Sequence, residues 1–255
     1  MNIKVLGCSG GIGAGLKTTA ILIDHDVAID AGTGIGDLTL EELRKIRRVF
    51  LTHSHIDHVA GLPLFLDSVF DYRIGDPLEL YARAETIQAL KDHIFNDVIW
   101  PDFSVLPYDD EPVMRYNVIE AGQELQLGDR RLTAVDVHHS VPSLGYCIQQ
   151  NGNVFAFSGD TQTNRSLWPV LNSFSNVNVL VIEVSFPNYQ EDLAQQSGHY
   201  CPSTLAEDIQ NLNHSPDIWV TAMKPGEEEL IMEEVISAMP GRNIKPLKAG
   251  DEFVL

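Results

Sequence analysis

The stretch Thr52-His53-Ser54-His55-Ile56-Asp57-His58 places four potential metal ligands within six residues, and three of the chain's nine histidines fall in those positions. The run before it, Val49-Phe50-Leu51, predicts a short buried strand, and Val59 to Tyr72 carries apolar residues suited to a helix. The cluster therefore stands where a strand turns into a helix. A loop in that position aims alternate side chains into one cleft while its flanking elements hold it rigid. Imidazole and carboxylate together suit zinc or a similar first-row ion, manganese and iron included. The plainer reading, a solvated polar turn, would require the histidines to gather there by chance.

A length of 255 residues, 44% hydrophobic and 21% charged, describes an ordinary globular protein with ample core, and one domain over residues 1–255 is expected. No apolar stretch is long enough to span a membrane, and Met1-Asn2-Ile3-Lys4-Val5 starts directly on a strand rather than on a signal-peptide pattern. Cys8, Cys147 and Cys201 are odd in number and widely spaced, which argues against a disulfide framework and for a reducing cytoplasm. The balance of 17 basic against 36 acidic residues gives a formal net charge of −19. Such a surface disfavours long nucleic acids and leaves room for a small anion drawn to a metal.

Along the chain, Ile3 to Leu6 predicts a strand followed by the glycine-rich loop Gly7-Cys8-Ser9-Gly10-Gly11-Ile12-Gly13. A nucleotide-binding reading fails there, because Thr18 to Ile23 predicts a strand where a helix would be needed. Glycines that let a loop pass close beneath an active site fit better. Val27 to Asp30 then closes a hairpin, Leu40 to Ile46 a short helix, Leu78 to Ala82 a strand, and Ala84 to Ile94 an amphipathic helix. Val118 to Leu127 is expected to pair with Arg131 to Val137, and Gly145 to Gln149 with Val154 to Phe157 through Asn151-Gly152. Val177 to Val184 predicts a fully buried strand, Ser203 to Leu212 a helix, Ile218 to Thr221 a strand and Glu227 to Met239 a closing helix. This order fits an α/β architecture, an αβ/βα sandwich with metals at the edge between two sheets.

One loop cannot supply every ligand of a metal centre, so other segments must contribute. Val137-His138-His139-Ser140 ends a strand, whose alternation lets only one of the two histidines face a cleft. Phe157-Ser158-Gly159-Asp160-Thr161 ends the next hairpin with an acidic side chain.

The H-x-H-x-D-H spacing resembles the metallo-β-lactamase superfamily, whose members build two adjacent metal sites with it and share a four-layer sandwich fold. That resemblance implies His53 and His55 on one ion, and Asp57 and His58 on the other. The run His139 to Tyr146 is similar to the third motif of ribonuclease Z-like and phosphodiesterase members, which implies His139 as a first-site ligand and His138 as a supporting or structural residue. Asp160 matches the family's bridging carboxylate. Asp30-Ala31-Gly32 resembles a segment beside the metal loop whose aspartate supports the ligands, although a turn-forming aspartate reads equally well.

The segments Ile94 to Phe103, Ile182 to Asn188 and Gly198 to Pro202 narrow the likeness to class II cyclic-nucleotide phosphodiesterases. This implies a metal-activated water attacking the phosphodiester of a 3′,5′-cyclic nucleotide, with Asp57 binding metal and orienting the nucleophile. His199 would be a general acid or a donor to phosphate, or else a polar residue at a helix entry. Asn96, Trp100 and Lys224 are implied at the substrate, with core packing for Trp100 and solvation for Lys224 as the alternatives. Where relatives carry Thr-His-x-Lys-Pro, this chain has Thr221-Ala222-Met223-Lys224-Pro225, so the second of the two divalent ions loses a nitrogen ligand. A ribonuclease Z-like nuclease and a binding protein with a decayed site are the alternative functions, and a homodimer is compatible with either.

Overall fold

Asp30 and the His53–His58 loop follow two neighbouring parallel strands, while Glu183 ends one strand of a second parallel set and Asp160 and Ala222 follow its two neighbours. A computed structural model describes residues 1–255 and contains sixteen strands. They are β1 (Asn2–Gly7), β2 (Ala20–Ile23), β3 (Val27–Ile29), β4 (Arg48–Phe50), β5 (Leu78–Ala82), β6 (Pro107–Tyr108), β7 (Glu111–Pro112) and β8 (Met114–Val118). The rest are β9 (Glu124–Leu127), β10 (Arg130–Val137), β11 (Ser143–Gln150), β12 (Asn153–Phe157), β13 (Val179–Glu183), β14 (Asp217–Thr221), β15 (Ile244–Pro246) and β16 (Glu252–Val254).

The chain divides into two compact units, each with its own sheet and core. The first comprises Met1–Gly7, Lys17–Ile119 and Ala249–Val254. Its seven-stranded sheet runs β16-β1-β2-β3-β4-β5-β8, with β3, β4, β5 and β8 parallel. Arg73, buried on the helix Leu62–Arg73, donates to the carbonyls of Arg44 and Ile46 at 2.6 Å and so pins the approach to β4. The helix expected over Val59 to Tyr72 is two pieces, Ile56–Val59 and Leu62–Arg73. They separate at Gly61, whose N–H donates to the Ala31 carbonyl at 2.8 Å.

The second unit comprises Cys8–Leu16, Glu120–Lys248 and Leu255. Its sheet runs β15-β14-β13-β12-β11-β10-β9, with β12 to β15 parallel. All five residues of β13 are buried, as a strand covered on both faces requires. Asn151 and Gly152 both take positive φ, at 51° and 84°, in the two-residue turn joining β11 to β12. The expectation for Val118 to Leu127 is corrected. Val118 ends β8 in the first unit's sheet, the chain turns at Gly122, and only Glu124–Leu127 pairs with β10. Ser203 to Leu212 is likewise a shorter helix, Pro202–Asp208, followed by one tight turn at Ile209–Asn211. No helix is long and apolar enough to cross a membrane.

Candidate metal centre

In the first unit the site is built from a buried carboxylate outward. Asp30, Thr52, His53 and His58 are all buried to within 1% of completely. Asp30 accepts from the Thr52 N–H at 2.8 Å, the Thr52 hydroxyl at 2.8 Å and His58 Nδ1 at 2.7 Å. Because the Thr52 proton goes to Asp30, its oxygen is an acceptor for His53 Nδ1 at 2.9 Å. Both rings therefore carry their proton on Nδ1, which leaves Nε2 with the lone pair that a metal requires. The His53 ring lies 4.2 Å from that of His58 and 4.6 Å from that of His55, centroid to centroid. Burial pushes the Asp30 carboxyl above its ordinary range, against the opposing pull of His58 and Thr52. Asp57 stands on the first turn of Ile56–Val59, one-third exposed, with Oδ2 3.7 Å from His58 Nε2.

The second unit carries a cluster of its own. His139 is buried and His138 exposed. His139 Nδ1 donates to the Gly198 carbonyl at 2.8 Å, so Nε2 is again the ligating atom. Ligand atoms of His139, Asp160 and His199 lie within 4.8 Å of one another. His199 Nδ1 donates to Glu183 Oε1 at 2.8 Å and stands 3.2 Å from Ser185 Oγ. Glu183, fully buried at the end of β13, also accepts from the Thr161 N–H at 2.9 Å and the Ser185 hydroxyl at 3.1 Å. Burial disfavours a charged His199, but the charge and hydrogen bond of Glu183 outweigh it and raise the imidazole above its ordinary value. Burial raises Glu183 as well, with His199 opposing. Behind them Tyr200 donates to Asp208, and the Asn164 amide donates to Thr161 Oγ1 at 3.2 Å.

This donor set, imidazoles fixed by oxygen acceptors beside a buried carboxylate, fits a divalent first-row ion. The sequence reading missed Glu183, Thr52 and the Gly198 carbonyl. A carboxylate closing the apolar run Val179 to Ile182 was the available sign of the first, since glutamate is rarely buried without a partner.

The residues implied at the substrate have structural partners. Asn96 accepts from the Val98 and Ile99 N–H groups and donates to the Asp92 carbonyl, which ties its own loop together. Trp100 packs against the first unit's core. Lys224 donates to the Gly10 carbonyl at 3.0 Å. Gly10 runs so close to the turn after β14 that a Cβ would stand 2.2 Å from the Ala222 carbonyl oxygen.

Gly198 holds φ +79°, and a Cβ there would stand 2.6 Å from Ser140 N and 3.0 Å from His139 Nδ1. Gly198→Ala is expected to cost more than ~1–2 kcal/mol, the left-handed penalty alone, because the contact adds to it. Thermal melting and elemental analysis should both fall. Unchanged melting with full metal content would show that His139 does not depend on this carbonyl.

Residues 25–218 match the family described as a beta-lactamase superfamily domain. A probable 3′,5′-cyclic-nucleotide phosphodiesterase of Yersinia pestis is 28% identical, over 82% of this chain and 71% of its own length. A ribonuclease Z of Pyrococcus abyssi is 27% identical over 53% of this chain, which spans only 43% of that relative. Among solved structures, the metallo-beta-lactamase fold protein YhfI of Bacillus subtilis is 17% identical with a TM-score of 0.78, covering 99% of this chain and 98% of its own. That likeness shows the fold.

Proposed function

Because this chain belongs to the beta-lactamase superfamily, we propose that it is a metal-dependent phosphodiester hydrolase acting on 3′,5′-cyclic nucleotides. The observation that carries this reading is the placing of His199, whose Nδ1 donates to buried Glu183 and which stands beside His139 and Asp160. The phosphodiesterase relative supports it. The proposed ligands are His53, His55, His139 and Asp160 for one ion, and Asp57, His58 and Asp160 for the other. Two divalent ions held there, zinc foremost, would supply a water of lowered pKa and positive charge for the phosphate oxygens.

Asp57 would accept a hydrogen bond from the attacking water and orient it toward phosphorus, and the water's own proton would pass to solvent. As the water oxygen bonds to phosphorus, the bond to the leaving oxygen breaks and its electron pair stays on that oxygen. His199 delivers the proton from Nε2, because Glu183 occupies Nδ1. Ser185 and Thr161 hold Glu183 in turn, so the acid cannot drift during the step.

Cyclic nucleotides should be hydrolysed with added divalent metal, and a tRNA precursor should not, since a net charge of −19 repels a long polyanion. Salt-dependent tRNA cleavage, with none of a cyclic nucleotide, would move the assignment to the nuclease relative.

Ala222 is buried at 4% exposure with φ +61°, a backbone region in which histidine is commoner than alanine. Ala222→His is expected to fit that backbone and to raise metal retention and turnover at limiting metal, by about 10-fold or more for a regained ligand. Metal stoichiometry and rate for both forms, at limiting and saturating metal, check this. No gain under either condition would mean that position 222 lies away from the ions.

A further inference from the structure

We propose that the cleft beside His199 receives the leaving-oxygen side of the substrate and selects a hydroxyl-bearing sugar, the ribose of a single nucleotide, with no phosphate beyond the one under attack. This deepens the phosphodiesterase reading and rests on it. The cleft has a volume of about 310 Å³ and is lined by Gln162, Thr163, Gln195, His199 and Thr204. The size falls within the range of small-ligand pockets. Apart from the acid itself, its walls carry two amides and two hydroxyls and no charge.

Gln162, Thr204 and Gln195 are each tied to a neighbouring segment. Gln162 follows the Asp160 turn, its N–H donating to the His138 carbonyl at 2.8 Å. Thr204 is tethered to Cys201, donating to its carbonyl at 3.0 Å and accepting from its N–H at 3.1 Å. Gln195 lies on the helix Glu191–Ser197, which ends at the Gly198 that holds His139. Amides offer both donors and acceptors, so they match the hydroxyls and ring edges of a nucleoside. An apolar aryl group would leave them unmatched. A leaving group with further phosphates would bring negative charge to walls that hold no lysine or arginine.

In the reaction the P–O3′ bond breaks, O3′ keeps the electron pair and takes the proton of His199, and the product is a nucleoside 5′-monophosphate. The test uses the full-length chain with saturating zinc or manganese. Gln162→Ala and Gln195→Ala are compared with the unaltered protein on 3′,5′-cyclic AMP and on bis-p-nitrophenyl phosphate, and 5′-AMP binding is measured by calorimetry. Each substitution should lower kcat/KM for cyclic AMP by about 3–10-fold, the worth of one neutral hydrogen bond, mainly through KM. Affinity for 5′-AMP should fall by the same factor, and the aryl ester should be unaffected. Equal losses on both substrates, or no loss of cyclic AMP turnover and 5′-AMP affinity, overturn the pocket assignment alone. Hydrolysis of the aryl ester without that of cyclic nucleotides does the same. An unaltered protein that cleaves neither overturns the phosphodiesterase reading itself.

Discussion

Asp57→Ala is expected to abolish phosphodiester hydrolysis while leaving the melting temperature nearly unchanged. The side chain is one-third exposed, on a single helical turn, so folding draws little from it. Its proposed work is chemical, since it binds metal and orients the attacking water. Loss of a positioned acid–base group alone costs about 10²–10⁴-fold, and here a ligand is lost as well. The rate at saturating metal separates the two roles. Recovery to the unaltered rate at high metal would reduce Asp57 to a ligand, and an unaffected rate at every metal concentration would remove it from the site.

Asp30→Asn should separate stability from metal binding. The buried carboxylate accepts three hydrogen bonds, from two donors on Thr52 and one on His58. An asparagine keeps the shape and suits the φ of +58°. It also removes a charge whose burial is unfavourable, as the raised Asp30 carboxyl shows. The protein should therefore melt no lower. The amide N–H₂, however, cannot accept from His58 Nδ1, so the ring would turn to its other tautomer with a proton on Nε2. Metal affinity should then fall by about 10–100-fold, the usual cost of losing such a supporting partner. Calorimetric metal titration with a melting curve checks both halves. Full affinity would mean that Asp30 does not set the tautomer, and a collapsed melting transition would make it a folding residue.

The elements that carry the site were legible because each is a local pattern. The strand before His53, the Asn151-Gly152 hairpin and the apolar β13 all declare themselves within a few residues. The tautomer controls were less so, because they join residues distant in sequence: Asp30 with His58 entered only through the family resemblance, and the pairings of Gly198 with His139 and Glu183 with His199 left no local sign. Periodicity cannot report a hydrogen bond between two strand ends. The same limit applies to Asn96 and Lys224, whose bonds within their own surroundings are not written in the local sequence. The split of the segment around Val118 was hidden for a related reason. A continuous β-like run does not say which sheet each half joins.

The central claim is that the histidine and aspartate set holds ions that enable phosphodiester hydrolysis. The most direct measurement strips the protein with a chelator, restores zinc or manganese in steps, and follows bis-p-nitrophenyl phosphate hydrolysis against bound metal. Turnover should vanish on stripping and return in proportion to the metal regained, reflecting the water activation and charge that such ions supply. Phosphodiester turnover that survives complete stripping, or cleavage of a β-lactam or thioester with none of the phosphodiester, would contradict it.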